Sequence, residues 1–424
     1  MTKIAFYKRI VKVLFPLYLC LFYVNPLFAQ KDSVNVNNYI LIINSYTEAA
    51  PWSLRMISAV TEYTQNLPQV ALYTEHMNML MMDNDTILQE FKDTIFTKYK
   101  HHSPRMILLL GNSTLILKDD LKKEWGDVPI MLCGEEDYFG PKEAYLKKEP
   151  IPLSDRIPLI ELAKPYNLVF LYSNLFVQEN IELVCQMIPH MEKFIFIGDN
   201  RQINQTNDLI IQEELAKKHP DIIYQYLSPE KITLNQLLDS LYAIDPKTTG
   251  VLYSSWFFKQ TFAGNTSLFT NSHNIIATTS APLFSVGLIT LKDYRGGMIG
   301  GYSYDQEAYN AKIIQIIKEI LDGKQARDIP FYLPSDGAPI INYEALSRKG
   351  LSLDFCPKGT IFFNKPPTFW EQYNYFILGA IVCIILLILF FQYRIRHLNN
   401  LKKAQMKEIE IMTTYRNLIN NMPI

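Results

Sequence analysis

The sequence predicts an α/β protein with two lobes, each built on a parallel β-sheet, followed by one transmembrane helix and a cytoplasmic helix. Three observations lead to this fold class. Short apolar runs alternate with helix-like segments through most of the chain. A long uncharged apolar stretch lies near the C-terminal end, and a shorter one lies near the N-terminus. The 424 residues suffice for roughly two to four domains of ordinary size.

The composition indicates a folded chain without a nucleic-acid partner. Hydrophobic residues make up 48% and charged residues 20%, a balance typical of globular domains. Lys and Arg total 41 and Asp and Glu total 42, which gives a net charge of −1. Because nucleic-acid-binding domains normally carry a basic excess, we expect no nucleic acid to bind this segment.

The first 29 residues have the pattern of a secretory signal peptide. A positive region precedes the uninterrupted apolar run 13–24, and Ala29-Gln30 is a plausible cleavage point. The bulky Leu27 occupies a position where a small residue is usual, so an uncleaved N-terminal anchor remains the alternative. Either reading exports the residues that follow. The positive charges are Lys3, Lys8, Arg9 and Lys12.

The exported region repeats a strand–helix rhythm. Between the apolar runs lie segments with helical spacing, for example Leu54, Ile57, Val60 and Leu67. Continuous apolar strands alternating with helices are typical of parallel sheets covered on both faces. The predicted strands are residues 39–43, 70–73, 106–110, 129–133, 168–172, 194–197, 222–226, 250–253 and 274–278.

These strands are too many for one compact unit, so we predict two lobes. Lobe 1 covers residues 39–165 and lobe 2 covers residues 166–282. Residues 283–329 return to lobe 1 through a glycine-bracketed strand, 296–301, and a helix, 305–321. Those glycines lack the GxGxxG order, and close backbone approach explains them more simply. The Pro- and Gly-rich residues 330–372 are predicted to form a C-terminal wrap.

Residues 373–393 are predicted to be a transmembrane helix. No charged or amide side chain occurs between Phe376 and Phe391, and with its flanks the stretch reaches about 20 residues, the thickness of a bilayer core. The basic residues that follow place residues 394–424 in the cytoplasm and residues 31–372 in the periplasm by the positive-inside rule. A buried core helix is the alternative. The basic residues are Arg394, Arg396, Lys402 and Lys403.

The exported cysteines do not form a disulfide framework. Cys133, Cys185 and Cys356 are an odd and sparse set. We expect buried thiols, with one disulfide and a free thiol as the alternative.

Polar residues at the strand ends predict a ligand site. Ligands of open parallel sheets bind beyond the carboxyl ends of the strands, where helix N-termini also attract carboxylates. We expect a small polar or zwitterionic ligand, with Asp199 and Glu135 near its amine. Trp52 and Trp256, each expected to open a helix, would stack on its apolar part. Ordinary helix N-caps are the alternative for any single residue. The candidates are Ser45, Tyr46, Trp52, Asn112, Ser113, Glu135, Ser173, Asn174, Asp199, Asn200, Ser255, Trp256, Thr279 and Ser280.

Catalytic and metal motifs are missing from the sequence. It contains no P-loop, GxSxG, HExxH or metal-spaced His/Cys set. No catalytic residue, metal ligand or cofactor is therefore assigned to this chain.

Two stretches carry a family resemblance. The opening YILIINSYTEAAPWSLRMISAV at 39–60 and the tail FNKPPTFWEQY at 363–373, which runs straight into the apolar span, resemble type I periplasmic-binding-protein-like domains fused to bacterial membrane sensors. The resemblance covers residues 39–393. It implies a ligand bound between two lobes that close like a hinge.

The last residues also resemble a known family. The sequence TTYRNLINNMPI at 413–424 is similar to the beginning of a PAS domain in sensor histidine kinases, which implies a chain truncated at a domain boundary. The kinase core, with ATP and Mg as cofactors, and a response regulator or receiver domain as partner, would belong to the longer protein. A three-and-four spacing also predicts a homodimer seam, although an ordinary amphipathic helix fits equally well. The spaced residues are Leu401, Ala404, Glu408, Ile411, Tyr415 and Leu418.

Together these features predict the extracytoplasmic ligand-sensing and membrane-signalling portion of a two-component sensor histidine kinase in the inner membrane. A membrane-tethered solute-binding protein of a transporter and the input domain of a nucleotide cyclase are the alternatives. An exported enzyme is disfavoured by the missing catalytic motifs.

Overall fold

The computed structural model describes residues 38–100, 102–287, 297–333 and 336–420. The predicted signal peptide lies outside the described residues. The chain divides into two compact units, Met1–Asn364 and Lys365–Ile424. The first unit contains both lobes, and the second contains one long helix.

Lobe 1 is a five-stranded parallel sheet with the order β2-β1-β3-β4-β7, and β5 and β6 form a small antiparallel pair beside it. Its strands are β1 (Tyr39–Asn44), β2 (Ala71–His76), β3 (Met106–Leu110), β4 (Ile130–Gly134), β5 (Tyr138–Phe139), β6 (Ile157–Pro158) and β7 (Leu168–Tyr172). Its helices are α1 (Pro51–Gln65), α2 (Asp85–Lys98), α3 (Lys118–Trp125), α4 (Lys142–Lys147) and α5 (Leu159–Leu162).

Lobe 2 contains a seven-stranded sheet with the order β16-β15-β14-β13-β10-β8-β9, and β11 and β12 form a separate hairpin. Its strands are β8 (Lys193–Ile197), β9 (Ile223–Leu227), β10 (Thr249–Tyr253), β11 (Phe258–Phe262), β12 (Asn265–Phe269), β13 (Leu283–Ser285), β14 (Gly300–Ser303), β15 (Ala338–Asn342) and β16 (Ile361–Phe363). The remaining helices are α6 (Val177–Met187), α7 (Gln202–Lys218), α8 (Leu234–Tyr242), α9 (Ser272–Ala277), α10 (Gln306–Leu321), α11 (Tyr343–Arg348) and α12 (Phe369–Asn420).

The parallel strands of both lobes follow one winding pattern. In each, the second strand lies outside the first, and the third, fourth and fifth follow on the other side. This is a doubly wound order, which places the ligand crevice beyond the carboxyl ends of the strands. Successive residues of β1 enter opposite cores, with Leu41 and Ile43 on one face and Ile40 and Ile42 on the other. The predicted two-lobed α/β fold with parallel sheets is confirmed.

Within the described residues, the chain passes between the lobes three times. The first passage joins β7 to α6, and the second joins β14 to α10, which packs in a core of lobe 1 with strands β1, β3 and β4. After α10 the backbone of Tyr332 pairs with Leu171 of β7. The third passage then leads to β15 at the edge of the lobe 2 sheet.

One buried side chain ties the first two passages together. The Asn180 amide nitrogen donates to the carbonyl oxygens of Phe176 (2.9 Å) and Tyr302 (3.0 Å), and its oxygen accepts from the Tyr302 backbone nitrogen (2.7 Å). The rings of Phe176 and Tyr302 lie 5.2 Å apart. A Cβ on Gly337, in the third passage, would lie 2.6 Å from the Tyr302 ring, so all three passages meet here.

Two parts of the sequence-based topology are wrong. Residues 274–278, predicted as a strand, lie mainly in α9, because Ser272, His273, Ile276 and Ala277 are buried at helical spacing. The return to lobe 1 does not begin at residue 283, since β13 and β14 pair within the lobe 2 sheet and only α10 packs on lobe 1.

The segment predicted as an outer wrap extends the lobe 2 sheet instead. Strand β15 pairs antiparallel to β14, and β16 pairs parallel to β15.

The exported cysteines form no disulfide among themselves. Cys133 is buried, Cys185 and Cys356 are partly buried, and all three are free thiols.

The second unit is the single helix α12, which is 52 residues long. Its apolar window has a mean hydropathy of 2.7, so this helix is a candidate membrane span. The segments predicted as a transmembrane helix and a cytoplasmic helix are therefore parts of one continuous helix. An α-helix rises about 1.5 Å along its axis per residue.

The glycine-rich segment is required by close backbone packing. A Cβ on Gly297 would lie 2.0 Å from the carbonyl oxygen of Ala277. A Cβ on Gly300 would lie 2.1 Å from the carbonyl oxygen of Ile340, and Gly300 also has a φ of +146°. Both contacts are with backbone atoms, which cannot rotate away. The sequence-based explanation, close backbone approach, is therefore confirmed at these two positions.

We predict that Gly297→Ala destabilises lobe 2, because the added methyl group must push α9 and the segment before β14 apart. Overpacking of this kind costs about 1–3 kcal/mol. Thermal or urea unfolding of the chain measures the loss. Gly379→Ala is the matched control, since a Cβ there meets no atom within 4 Å. Equal stability of the two variants would contradict the prediction.

Candidate ligand-binding cleft

The carboxyl ends of the two parallel sheets border one cleft between the lobes. Three cavities lie in it, and residues from both lobes line each one. Their volumes are about 40, 70 and 320 Å³. We call them the polar, aromatic and acidic cavities. Glu135 and Ile203 line all three, so the cavities are neighbours along one groove.

The polar cavity lies between the ends of β1, β3 and β4 and the start of α7. Asn112 holds its wall in place, because its amide nitrogen donates to the carbonyl oxygens of Glu136 (2.7 Å) and Tyr138 (2.9 Å). The cavity is lined by Ser45, Tyr46, Met79, Asn112, Ser113, Glu135, Glu136, Tyr145, Lys148, Arg201, Gln202 and Ile203.

The aromatic cavity lies between the start of α1 and the loop after β10. Its surface is mostly apolar, with hydroxyl groups from Ser254 and Ser255. The cavity is lined by Tyr46, Ala50, Pro51, Trp52, Glu135, Leu175, Arg201, Ile203, Tyr253, Ser254, Ser255, Phe257, His273, Val286 and Gly287.

The acidic cavity lies between the loop after β4 and the helices α6 and α7. Its carboxylates are Glu135, Glu136, Asp137, Glu179, Glu213 and Glu214. The other lining residues are Tyr138, Arg156, Tyr172, Asn174, Leu175, Val177, Gln178, Ile203, Thr206, Asn207 and Ile210.

Arg201 occupies the centre of the cleft. Its Nε and Nη2 atoms donate to the two carboxylate oxygens of Asp199 at 2.8 and 2.9 Å, and Nη2 also donates to Ser255 Oγ at 2.8 Å. The guanidinium lies 4.9 Å from the ring centre of Tyr46 and 5.3 Å from that of Phe257. A bidentate ion pair between two rings fixes the guanidinium in one orientation.

The carboxylate of Asp199 is fully buried behind Arg201. It accepts a further hydrogen bond from Asn204 Nδ2 at 2.8 Å. Burial by itself would lower the pKa of Arg201, but the charge and hydrogen bonds of Asp199 together with Tyr46 and Glu135 outweigh it, and the net pKa is raised. The Arg201 guanidinium therefore stays charged, and its charge lies directly against the Asp199 carboxylate.

Two adjacent glutamates carry the acidic character of the cleft. The Tyr46 hydroxyl donates to Glu135 Oε1 at 2.5 Å, and burial raises the pKa of Glu135. The Glu136 carboxylate accepts hydrogen bonds from Tyr138 Oη at 2.5 Å and from Gln202 Nε2 at 3.3 Å. Burial raises the pKa of Glu136 to about 7, and the neighbouring Glu135 charge adds to the increase.

The two lobes touch across the cleft. Tyr46 and Glu136 belong to lobe 1, while their partners Arg201 and Gln202 belong to lobe 2. Further out, Lys259 on the β11–β12 hairpin forms an ion pair with Asp83 of lobe 1. Asp83 also pairs with Lys148, and the two ammonium groups lower its pKa although its partial burial opposes them.

Many of the residues singled out from the sequence line these cavities. They come together because β1, β3, β4, β7 and β10 end at the same cleft. They are Ser45, Tyr46, Trp52, Asn112, Ser113, Glu135, Asn174 and Ser255.

The other sequence-predicted residues lie elsewhere. Asp199 holds Arg201 rather than facing a ligand amine, and Asn200 pairs with Glu230. Ser173 is buried against the Gly134 carbonyl, with an oxygen–oxygen distance of 3.1 Å. Trp256 is fully buried in a core of lobe 2 and opens no helix.

Thr279 and Ser280 are misplaced because the strand predicted before them is α9. Thr279 is buried, and its hydroxyl donates to the Ile276 carbonyl at 2.9 Å, while Ser280 is exposed. Neither lines the three cavities.

The sequence-based reasoning missed Arg201, Glu136, Gln202, Phe257 and His273. Arg201 and Gln202 directly follow the polar end of β8, and Glu136 follows the end of β4, so proximity to a strand end was the available signal. Within the described residues, no group of His, Cys, Asp and Glu side chains has the arrangement of a metal site.

Comparisons with known proteins give structural neighbours only. No family model and no curated protein matches the chain. A ligand-free, open substrate-binding protein with adhesive properties from Clostridium difficile is 12% identical, with 78% of this chain and 100% of that chain covered and a TM-score of 0.45. A domain from Streptococcus pneumoniae in complex with L-Trp is 13% identical, with 77% and 99% covered and a TM-score of 0.47.

A third neighbour is a carbohydrate transporter solute-binding protein from Agrobacterium radiobacter in complex with D-arabinose. It is 11% identical, with 72% of this chain and 94% of that chain covered and a TM-score of 0.42. Similarity at this level carries no information about a shared ligand or partner.

We predict that Arg201→Ala destabilises the chain strongly, because it leaves the Asp199 carboxylate buried without its cation. Breaking a buried ion pair from one side costs about 3–5 kcal/mol. The double variant Asp199→Ala/Arg201→Ala should lose less, since no buried charge remains. Denaturant unfolding of both variants measures the difference.

Lys164→Ala is the control for that comparison. It removes an ion pair with Glu161 whose side chains are 67% and 56% exposed, and such pairs contribute about 0–1 kcal/mol. A double variant less stable than Arg201→Ala alone would contradict the ion-pair explanation.

The raised pKa of Glu136 predicts a pH-dependent stability. Between pH 4.5 and 7 the folded chain holds a proton on Glu136 that the unfolded chain has released. The free energy of unfolding therefore falls as the pH rises through this window, by up to about 1.4 kcal/mol per pH unit from this group.

Glu136→Gln should flatten this pH dependence and stabilise the chain at pH 8, because the amide keeps the acceptor for Tyr138 and carries no charge. Urea unfolding between pH 4.5 and 8 gives the slope. The exposed Glu124→Gln serves as the control. Parallel curves for the wild type and Glu136→Gln would contradict the assigned role.

Proposed function

We propose that this chain is a membrane-anchored receptor that binds a small polar ligand between its two lobes and passes the resulting closure to the helix α12. The observation that carries the proposal is the cleft around Arg201. A rigidly held guanidinium, two adjacent glutamates and two aromatic rings converge there from both lobes.

Ligand binding by lobe closure has support in the contacts across the cleft. The lobes contact each other through the stacking of Arg201 on Tyr46 and the hydrogen bond from Gln202 to Glu136. The ion pair between Lys259 and Asp83 is a further contact. The three described passages between the lobes lie close together at Asn180. Two rigid bodies joined at one such junction can rotate about it, and a ligand that contacts both favours the closed state.

Signalling has support in the continuity of α12. Its apolar part extends without a break into an amphipathic and basic part that ends at Asn420. We propose that residues 31–372 lie in the periplasm, that the helix crosses the inner membrane, and that residues 394–424 lie in the cytoplasm of a homodimer. A histidine kinase core of a longer protein, acting on a response regulator, is the output that this proposal favours.

The second candidate is a membrane-tethered solute-binding protein that delivers its ligand to a transporter. The same cleft serves this function equally well, and the exposed β11–β12 hairpin beside it offers a surface to a transporter subunit. The two candidates differ in whether ligand binding changes the cytoplasmic part of α12.

We predict that ligand binding raises the unfolding temperature and also changes the distance between spin labels on α12. The 424-residue chain carrying Lys403→Cys, with its native cysteines replaced by serine, would be labelled in nanodiscs. Metabolites of cationic, neutral and anionic classes are first screened by thermal shift. Saturation at 100 times the dissociation constant stabilises by about 2.7 kcal/mol.

The spin-label distances separate the candidates. A ligand-dependent change in the inter-label distance supports sensing, whereas stabilisation with unchanged distances supports the transport candidate. A label at Glu90→Cys, exposed in lobe 1, reports lobe movement as a positive control. If no ligand of any class stabilises the chain, the binding proposal fails.

A further inference from the structure

Building on the proposed function, we infer that the ligand is a small organic cation that also carries a hydrogen-bond acceptor, and that its cationic group occupies the acidic cavity beside Glu136. The proposed function requires only a small polar ligand, and this inference adds that the ligand carries a positive charge. An amino alcohol has both groups, whereas a simple diamine has only the cationic ones.

The charge balance of the acidic cavity favours a cationic occupant. The acidic cavity has six carboxylates in its lining, from Glu135 to Glu214, and one guanidinium, that of Arg156. The Arg156 group lies 4.3 Å from the Tyr138 ring centre, and its Nε donates to the Ile151 carbonyl. Lys218 contacts only Glu214 among these carboxylates. The negative charge is therefore largely uncompensated.

Arg201 offsets only part of this negative charge, through its attraction to Glu135. Its guanidinium is committed to Asp199, whose carboxylate is fully buried and lies outside the acidic cavity. The inner cleft thus holds a closed ion pair and, next to it, two glutamates. Burial raises the pKa of both glutamates more than their hydrogen bonds from Tyr46, Tyr138 and Gln202 lower it, so their ionised forms are only partly stabilised by the protein.

The acidic cavity is also lined by a residue whose amide nitrogen is unpaired. Asn207 is only 3% exposed, and its Nδ2 atom has no hydrogen-bond partner among the described residues. Asn207 lines the acidic cavity from α7, together with the carboxylates of the loop after β4. Because buried polar groups are nearly always paired in folded proteins, this amide indicates an occupant that accepts a hydrogen bond.

The acidic cavity is also the one with room. Its volume of about 320 Å³ exceeds those of the two inner cavities, about 40 and 70 Å³. Glu135 and Ile203 connect it to them, so an occupant beside Glu136 would reach the inner cleft where both lobes meet. A cation held there bridges lobe 1, through Glu136, and lobe 2, through Asn207 and Glu213.

The test is calorimetric titration of the full 424-residue chain in detergent with three probes of similar length: 1,4-diaminobutane, 1,4-butanediol and succinate. At constant ionic strength, the diamine should bind and the diol and the diacid should not. Glu136→Gln should weaken diamine binding at least tenfold, whereas Glu90→Gln, an exposed carboxylate on α2, should leave it unchanged. Thermal unfolding of each variant verifies that it is folded.

A second comparison tests the acceptor. The wild type should bind 1,3-diamino-2-propanol more tightly than 1,3-diaminopropane, and Asn207→Leu should abolish this preference while still binding both.

Failure to bind the diamine, tighter binding of succinate, or equal diamine binding by wild type and Glu136→Gln would each overturn the inference. A preference of Asn207→Leu equal to that of the wild type would overturn its acceptor part. The proposed function is judged separately: it survives if any neutral or anionic metabolite stabilises the chain, and it fails together with this inference if no ligand does.

Discussion

The arrangement of the two lobes depends on the point where their three connecting passages meet. Asn180 uses both polar atoms of its buried amide to hold the backbone of Tyr302, and the ring of Tyr302 packs on Phe176. A single amide thus joins the first passage to the second, and Gly337 brings the third beside them. The junction therefore links the two lobes whose strand ends border the cleft.

Within the cleft, the Asp199–Arg201 pair is the organising element of lobe 2. Burying two charges is favourable only when they satisfy each other and their remaining hydrogen bonds. Here Asn204 and Ser255 complete the set. The pair presents a flat, rigid guanidinium to Tyr46 of lobe 1. Beyond this pair, both walls of the cleft carry carboxylates, among them Glu136 on lobe 1 and Glu213 on lobe 2.

Periodicity in the sequence was sufficient for the fold because parallel strands such as β1, β3 and β4 are buried on both faces and read as unbroken apolar runs. It failed at residues 274–278, since a short apolar run does not distinguish a strand from a buried helix. The site residues at true strand ends were placed correctly. Arg201 was missed because its importance depends on a side chain folding back onto Asp199, a tertiary contact that local sequence does not encode.

Because α12 is continuous, its length in residues sets the rotation of one end relative to the other. Each residue of an α-helix turns the next by about 100°. Between Phe369 and Asn420 no loop or glycine kink is present to absorb a change in that angle. Inserting or deleting one residue would rotate the part of the helix that follows the apolar stretch by more than a quarter turn relative to that stretch. The number of residues in this helix therefore fixes the relative rotation of its two parts, just as its apolar side chains make it a candidate membrane span.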